Sequence, residues 1–159
     1  MKLRIGFGYD VHAFVSNREL WIGGIKIEYK LGLQGHSDAD VLIHALCDAL
    51  LGAANLRDIG YNFPDTDIQY KNIDSKILLS ETINLLREKN YEFVNADCTI
   101  CAEQPKLNSH IPQMQLTMAR VMGVSLDTIS IKATTTEKLG FVGKKEGIAA
   151  YATVLIEKK

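Results

Sequence analysis

Apolar and polar positions along this chain alternate between two periods. From Lys2 to Phe14 the bulky residues Ile5, Phe7, Tyr9 and Val11 fall on every second position, the spacing of a strand. Leu20 to Ile22 and Ile25 to Tyr29 predict short strands around Gly23-Gly24, a two-residue hairpin signal, and Leu31 to Ser37 predicts a loop. From Asp38 or Ala39 to about Ala54 the period lengthens: Val41, Leu42, Ala45, Leu46, Ala49, Leu50 and Ala53 recur at helical spacing. Asn55 to Asn72 is polar, carries Gly60 and Pro64, and is long for a connection, the kind of segment that carries function.

Asp74 or a neighbour caps a second helix running to about Lys89, with Ile77, Leu78, Ile83, Leu85 and Leu86 on its apolar side. Tyr91 to Glu103 is a second long strand closed by Gln104-Pro105-Lys106. A third helix begins near Ile111, with Pro112 in its tolerant first turn, and ends at Gly123. Thr128 to Ala133 is strand, Thr134 to Glu137 loop, and Ile148 to Glu157 a final strand. Together these predict an α/β (α+β) sandwich, one mixed sheet with helices packed on one side. No linker, repeat or low-complexity tract interrupts the pattern, so residues 1–159 are expected to form a single domain.

Composition narrows the function classes. At 159 residues and 47% hydrophobic the chain buries enough surface to fold without staples, and its net charge is −1. Lysines and arginines are scattered, apart from the pairs Lys144-Lys145 and Lys158-Lys159, so no nucleic-acid footprint is expected. No apolar run approaches the ~18 residues of a membrane span. The strand pattern begins at once and shows no targeting segment, so a soluble, cytoplasmic protein is expected. Three cysteines fit a reducing compartment. Cys98 and Cys101 sit three apart on a strand, facing opposite sides, which suits neither a redox pair nor a metal clamp; with Cys47 they are expected to be small packing residues.

Candidate chemistry begins at Gly8-Tyr9-Asp10-Val11-His12. Residues i and i+2 of a strand share a face, ~6–7 Å apart, so Asp10 and His12 aim a carboxylate and an imidazole the same way. His44, on the first helix, adds a third ligand; two histidines and a carboxylate with one open position form a catalytic rather than a structural zinc set. A polar strand end beside a hydrogen-bonded core histidine satisfies the same spacing. Asp38 and Asp40, after His36, are each expected to cap the helix, and Asp40 or Asp48, at i−4 and i+4 from His44, are candidates to orient its imidazole. Thr134-Thr135-Thr136-Glu137 matches a capping box. Lys138 to Gly143 predicts no helix for it to cap, so hydroxyls, backbone N–H groups and a carboxylate read as a phosphate and divalent-cation cradle. Gly6-x-Gly8 is weak as a nucleotide signal, and a lone His110 carries little weight.

Taken together, Gly8 to His12, His36 to Asp40, Asp58-Ile59-Gly60, Phe63-Pro64-Asp65-Thr66-Asp67, Pro105-Lys106 and Ala133 to Phe141 resemble the 2-C-methyl-D-erythritol 2,4-cyclodiphosphate synthase family of the non-mevalonate isoprenoid pathway. The likeness runs in order from about residue 4 to residue 156. It implies a cytidine diphosphate substrate, 4-diphosphocytidyl-2-C-methyl-D-erythritol 2-phosphate, whose 2-phosphate attacks the β-phosphorus, expels CMP and closes a cyclic diphosphate. It further implies zinc on Asp10, His12 and His44, a β-phosphate oxygen in the open position, and a Mg²⁺ or Mn²⁺ ion at Glu137. By the same resemblance His36 and Thr135 stabilise the transition state, and Ser37 binds phosphate. Asp58 to Gly60 and Phe63 to Asp67 take the methylerythritol phosphate. Ala102, Pro105, Lys106 and Leu107, with Ala133, Thr134, Thr135 and Thr136, take the cytidine side. Phe141 and a basic residue near Lys144 complete the contacts. A homotrimer with active sites between subunits is implied too.

The implied chemistry is physically coherent. A phosphate nucleophile is already anionic near neutral pH, its second pKa being ~6, so no general base is required. The obstacle is charge repulsion, which two metal ions and an enforced intramolecular approach address. Lys144-Lys145 before Glu146-Gly147-Ile148-Ala149 departs from the single basic residue usual in the family, and a lysine cannot copy the bidentate grip of an arginine. Arg57, where a small residue is common, is expected to face solvent. Two rivals remain at this level: a zinc-dependent phosphoester or nucleotide hydrolase, which would incorporate solvent oxygen, and a non-enzymatic trimer with structural zinc, against which the missing fourth ligand counts.

Overall fold

A five-stranded mixed sheet with helices on one face forms the body of the protein in the computed structural model, which describes residues 2–159. In chain order the strands are β1 Leu3–Val15, β2 Leu20–Ile22, β3 Ile25–Ile27, β4 Gly32–Leu33, β5 Tyr91–Cys101, β6 Ile129–Thr134 and β7 Gly147–Lys158. The helices are α1 Val41–Ala53, α2 Ile59–Asn62, α3 Ser75–Glu88, α4 Ile111–Met122 and α5 Gly140–Gly143. The sheet runs β4-β1-β7-β5-β6, antiparallel except for the parallel β5–β6 pair, and β2–β3 form a separate two-stranded ribbon.

Alternation along β1 places its side chains opposite to what bulk alone would favour. Gly6 and Gly8 are buried toward the helices, whereas Ile5 and Phe7 are 73% and 63% exposed on the other face. Those glycines have a steric cause. A Cβ at Gly6 would meet the Ala49 carbonyl oxygen at 1.9 Å, and one at Gly8 the Ala45 carbonyl oxygen at 1.9 Å. So Gly6-x-Gly8 is a packing device: it lets the Ala45–Ala49–Ala53 stripe of α1 lie directly on the strand. That close approach brings His44 down onto Asp10 and His12. Leu42, Leu46, Leu50, Leu79, Ile100, Ile148 and Ile156 fill the layer between helices and sheet.

Several local expectations change. Asp40 alone caps α1, accepting the Ile43 N–H; Asp38 instead accepts from Asp40 N–H and from Ser75. Leu31 to Ser37 contains the short β4, paired with the end of β1. The Asn55–Asn72 connection includes α2 and a 3₁₀ turn at Ile68–Tyr70. The stretch after Glu137 does turn helical, over Gly140–Gly143, but Thr134 does not cap it. Cys47 and Cys98 are buried and their thiols pushed up to about 12, which leaves them inert. Cys101 is half-buried toward the opposite face. Among the described residues no helix is long and apolar enough to cross a membrane.

Candidate active site

Asp10 and His12, two apart on β1, aim at His44, which α1 presents at the end of its first turn. The Oδ2 of Asp10 lies 2.9 Å from His12 Nε2 and 3.1 Å from His44 Nδ1, and the two nitrogens are 3.2 Å apart. These three atoms form the group able to hold a metal ion among the described residues. Their mutual distances suit donors sharing one small cation, since ligands ~2.0–2.1 Å from a tetrahedral ion stand a little over 3 Å from each other.

Proton placement supports the same fit. His12 Nδ1 lies 2.6 Å from the Gln34 carbonyl, which only accepts, so that nitrogen carries the proton and Nε2 presents a lone pair. With no cation between them, burial works against the charged form of Asp10, but the His12 and His44 imidazoles, when protonated toward it, outweigh burial and lower its pKa to about 2. Burial likewise disfavours protonated His44, yet the Asp10 carboxylate outweighs it and raises the pKa above the ordinary value. An anionic, lone-pair-rich centre of this kind attracts a cation.

The imidazole partners expected from helix spacing are not the ones found. Asp40 is fully buried and accepts backbone N–H groups of Gly23, Gly24 and Ile43; Asp48 accepts the Ile59 N–H at 2.7 Å. Burial raises the pKa of both carboxyls. Asp48 therefore anchors α2 instead of the imidazole. The His44 Nε2 faces hydroxyls, Ser75 Oγ at 2.9 Å and Ser37 Oγ at 3.1 Å. Nothing local in the sequence flags Ser75, which arrives from the start of α3.

A cleft of about 380 Å³ opens over the triad, walled by His36, Ser37, Ile59, Gly60, Phe63 and Asp65 among others. His36 is exposed and sits 3.4 Å from Asp65. Its loop is pinned to the segment before α3 by Asn72 N–H to the His36 carbonyl and Asp38 N–H to the Ile73 carbonyl. Arg18 grips the same loop through the carbonyls of Gly35 and Ser37, contacts the sequence did not reveal. Asp58 caps α2, accepting the Tyr61 N–H, and Asp67 caps the following 3₁₀ turn; neither these two nor Pro64 and Thr66 line the cleft. Arg57 lies against the Tyr61 ring at 4.1 Å.

A second, separate cleft of about 150 Å³ is lined by Ala102, Pro105, Lys106, Leu107, Ala133, Thr134 and Thr135, at the ends of β5 and β6. Thr136, Glu137, Phe141 and Lys144 lie outside its lining. Glu137 and Lys138 hold left-handed backbone at φ 52° and 66°. One Glu103 carboxylate oxygen accepts the N–H groups of both Thr136 and Lys138 at 3.1 Å, which lowers the Glu103 pKa. Thr135 Oγ1 lies 3.2 Å from the Glu137 carboxylate. The geometry leaves Lys144 and Lys145 equivalent candidates, both exposed after α5.

Known proteins with the same architecture are close in sequence. Residues 3–157 match the model of the YgbB family. The 2-C-methyl-D-erythritol 2,4-cyclodiphosphate synthase of Parabacteroides distasonis is 72% identical, covering 99% of this chain and 98% of its own. Its counterpart in Bacteroides thetaiotaomicron is 68% identical over 99% of both chains. The solved bifunctional IspDF of Campylobacter jejuni superposes with a TM-score of 0.95 at 44% identity, over 99% of this chain but 43% of that larger one. The CDP complex of Plasmodium falciparum IspF gives 0.88 at 33% identity, over 99% of this chain and 97% of that one. At this similarity, sustained along the whole length, the chain belongs to the YgbB family.

Proposed function

We infer that the chain converts 4-diphosphocytidyl-2-C-methyl-D-erythritol 2-phosphate to 2-C-methyl-D-erythritol 2,4-cyclodiphosphate and CMP, a cyclising phosphorus–oxygen lyase reaction of isoprenoid precursor biosynthesis. The observation that carries this is the 72% identity to a synthase of that name over essentially both full lengths. Neither the family nor these relatives supports the rival zinc-dependent hydrolase. In the reaction an oxygen of the 2-phosphate bonds to the β-phosphorus while the bond from that phosphorus to the CMP oxygen breaks, with CMP leaving as the anion.

The roles of individual residues follow from what each can do. Asp10, His12 and His44 hold Zn²⁺ and Glu137 helps hold Mg²⁺ or Mn²⁺; bound there, the ions supply charge neutralisation on the diphosphate. His36 and Thr135 are the catalytic residues, donating hydrogen bonds where charge builds on the phosphoryl oxygens. Ser37 helps to orient phosphate. Asp58, Ile59, Gly60, Phe63, Pro64, Asp65, Thr66 and Asp67 form the lobe that folds the methylerythritol phosphate back toward the diphosphate, supplying proximity. Ala102, Pro105, Lys106 and Leu107, with Ala133 to Thr136, take the cytidine, while Phe141 and one of the two lysines Lys144 and Lys145 complete the substrate contacts.

The active enzyme is a homotrimer whose sites lie between subunits. Two features support this. Leu3, Ile5, Phe7, Tyr9, Val11 and Tyr151 leave an exposed apolar stripe on the sheet face opposite the helices, the kind of surface that marks a protein–protein contact. The two clefts also share no residue, and β1 and β6 are three strand spacings apart, about 14 Å. A site needing both halves is completed most directly by a neighbour's loop. A single domain spanning 1–159, working in the bacterial cytoplasm, completes the proposal.

Incubation of the purified protein with Zn²⁺, Mg²⁺ and the cytidine substrate should yield CMP and a cyclic diphosphate by ³¹P NMR. Linear products carrying solvent ¹⁸O would establish the hydrolase instead, and absence of turnover would overturn the assignment.

A further inference from the structure

A cation at the triad needs a bare nitrogen from each imidazole, so the other nitrogen of each ring must hold the proton. For His12 the Gln34 carbonyl enforces this. His44 has no carbonyl beside its Nε2, only the Ser75 and Ser37 hydroxyls, and a hydroxyl can donate or accept. Asp38 decides the direction. Its Oδ1 is hydrogen-bonded to Ser75 Oγ, and its Oδ2 accepts the Ser75 N–H at 2.9 Å. A carboxylate only accepts, so the Ser75 hydroxyl proton points at Asp38 and its lone pair faces His44 Nε2. That nitrogen must donate, which leaves Nδ1 bare toward Asp10 and His12. Ser37 Oγ is the longer contact and already accepts the Ala39 N–H.

We propose that Ser75 and Asp38 are positioning residues of the metal centre: the carboxylate–hydroxyl pair fixes the Nε2–H tautomer and the ring orientation of His44, as the Gln34 carbonyl does for His12. The arrangement is built into the fold. Ser75 is the first residue of α3 and fully buried, and both its backbone and side chain are clipped to Asp38, on the loop that carries His36 and Ser37. The start of α3 thus sets one metal ligand and braces the adjoining loop with the same two contacts.

This inference rests on the triad holding a metal, and the test separates the two. In ¹⁵N-labelled, Zn²⁺-loaded wild type, imidazole ¹H–¹⁵N correlations should place the His44 proton on Nε2. Chelator competition should show Ser75→Ala binding Zn²⁺ about 10–100-fold more weakly, with faster solvent exchange of that proton, while Ser75→Thr, which keeps the hydroxyl, stays within about threefold of wild type. A His44 proton on Nδ1, or unchanged Zn²⁺ affinity in Ser75→Ala, overturns the relay while leaving the metal site standing. Failure of the wild type to take up Zn²⁺ overturns both. The wild-type spectrum decides the tautomer even if Ser75→Thr does not fit its buried position.

Discussion

The Asp10–His12–His44 cluster and the Thr135–Glu137 loop are built in opposite ways. The first stands on a long strand and a helix pressed together by Gly6 and Gly8, and each histidine has its second nitrogen occupied. The second stands on a loop with consecutive left-handed residues, held from below by the single carboxylate of Glu103. A site that must compress an ion into a ~2 Å shell requires rigid donors, whereas one that wraps a long, flexible substrate tolerates a pliant edge. The difference teaches that the donors able to hold a metal ion are brought together within one chain, whereas the loop stands on fewer fixed contacts.

The sharpest way to break that comparison is to cripple each half separately. His44→Ala should lose Zn²⁺ and lower kcat/KM by about 10³-fold or more, because several kcal/mol of charge stabilisation go with the ion. Circular dichroism should show the fold retained. Thr135→Ala, removing one donor, should cost about 10²-fold with Zn²⁺ content unchanged. Co-expressed, the two variants should recover about a quarter of wild-type activity if each site draws its halves from neighbouring subunits, since random mixing reunites intact halves at that frequency. No recovery in the mixture would return both halves to one chain.

A gentler change probes the loop half alone. Glu103→Ala removes the acceptor shared by Thr136 and Lys138, so the loop should lose its preferred shape and kcat/KM should fall about tenfold, mainly through KM. Zn²⁺ affinity and thermal stability should barely move, as Glu103 stands at the surface. Glu103→Gln retains an acceptor oxygen and should recover most of the loss. Equal loss in both variants would assign Glu103 to substrate binding rather than to holding the loop.

How much of this was legible in the chain divides along the same line. The i, i+2 spacing of Asp10 and His12 is a local consequence of strand geometry, so the triad could be nominated with His44 from spacing, while a polar strand end beside a core histidine satisfied the same spacing and only the family resemblance chose between them. The partners of His44 could not be read this way. Spacing nominated Asp40 and Asp48, but Asp40 is consumed by N–H groups of the β2–β3 turn and its own helix, and Asp48 by Ile59. Ser75 arrives from another helix, a contact that helical periodicity cannot encode. Glu103 was hidden for the same reason, its partners lying more than thirty residues on. In β1, alternation was visible while its sense was not: only contact with the α1 backbone reveals that the glycines face inward and the aromatic residues outward.

The smallest expected effect concerns the metal-free protein, where the triad must satisfy itself. Asp10 titrates near pH 2 in the folded state, below its ordinary 3.8, so its contribution is complete above about pH 4 and is lost as the pH falls toward 2. The pKa of His44 is raised above 6.5, so its contribution is complete below that value and is lost as the pH rises through the folded one. The ion pair therefore stabilises most between roughly pH 4 and 6.5. In urea titrations with a chelator present, the stability gap between wild type and Asp10→Asn should be widest in that window and narrow on both sides. Zn²⁺ replaces the His44 proton as the partner of Asp10, so saturating metal should abolish the alkaline narrowing and leave the acid one. A gap that stays constant with pH would mean that Asp10 and the histidines are coupled only through the metal.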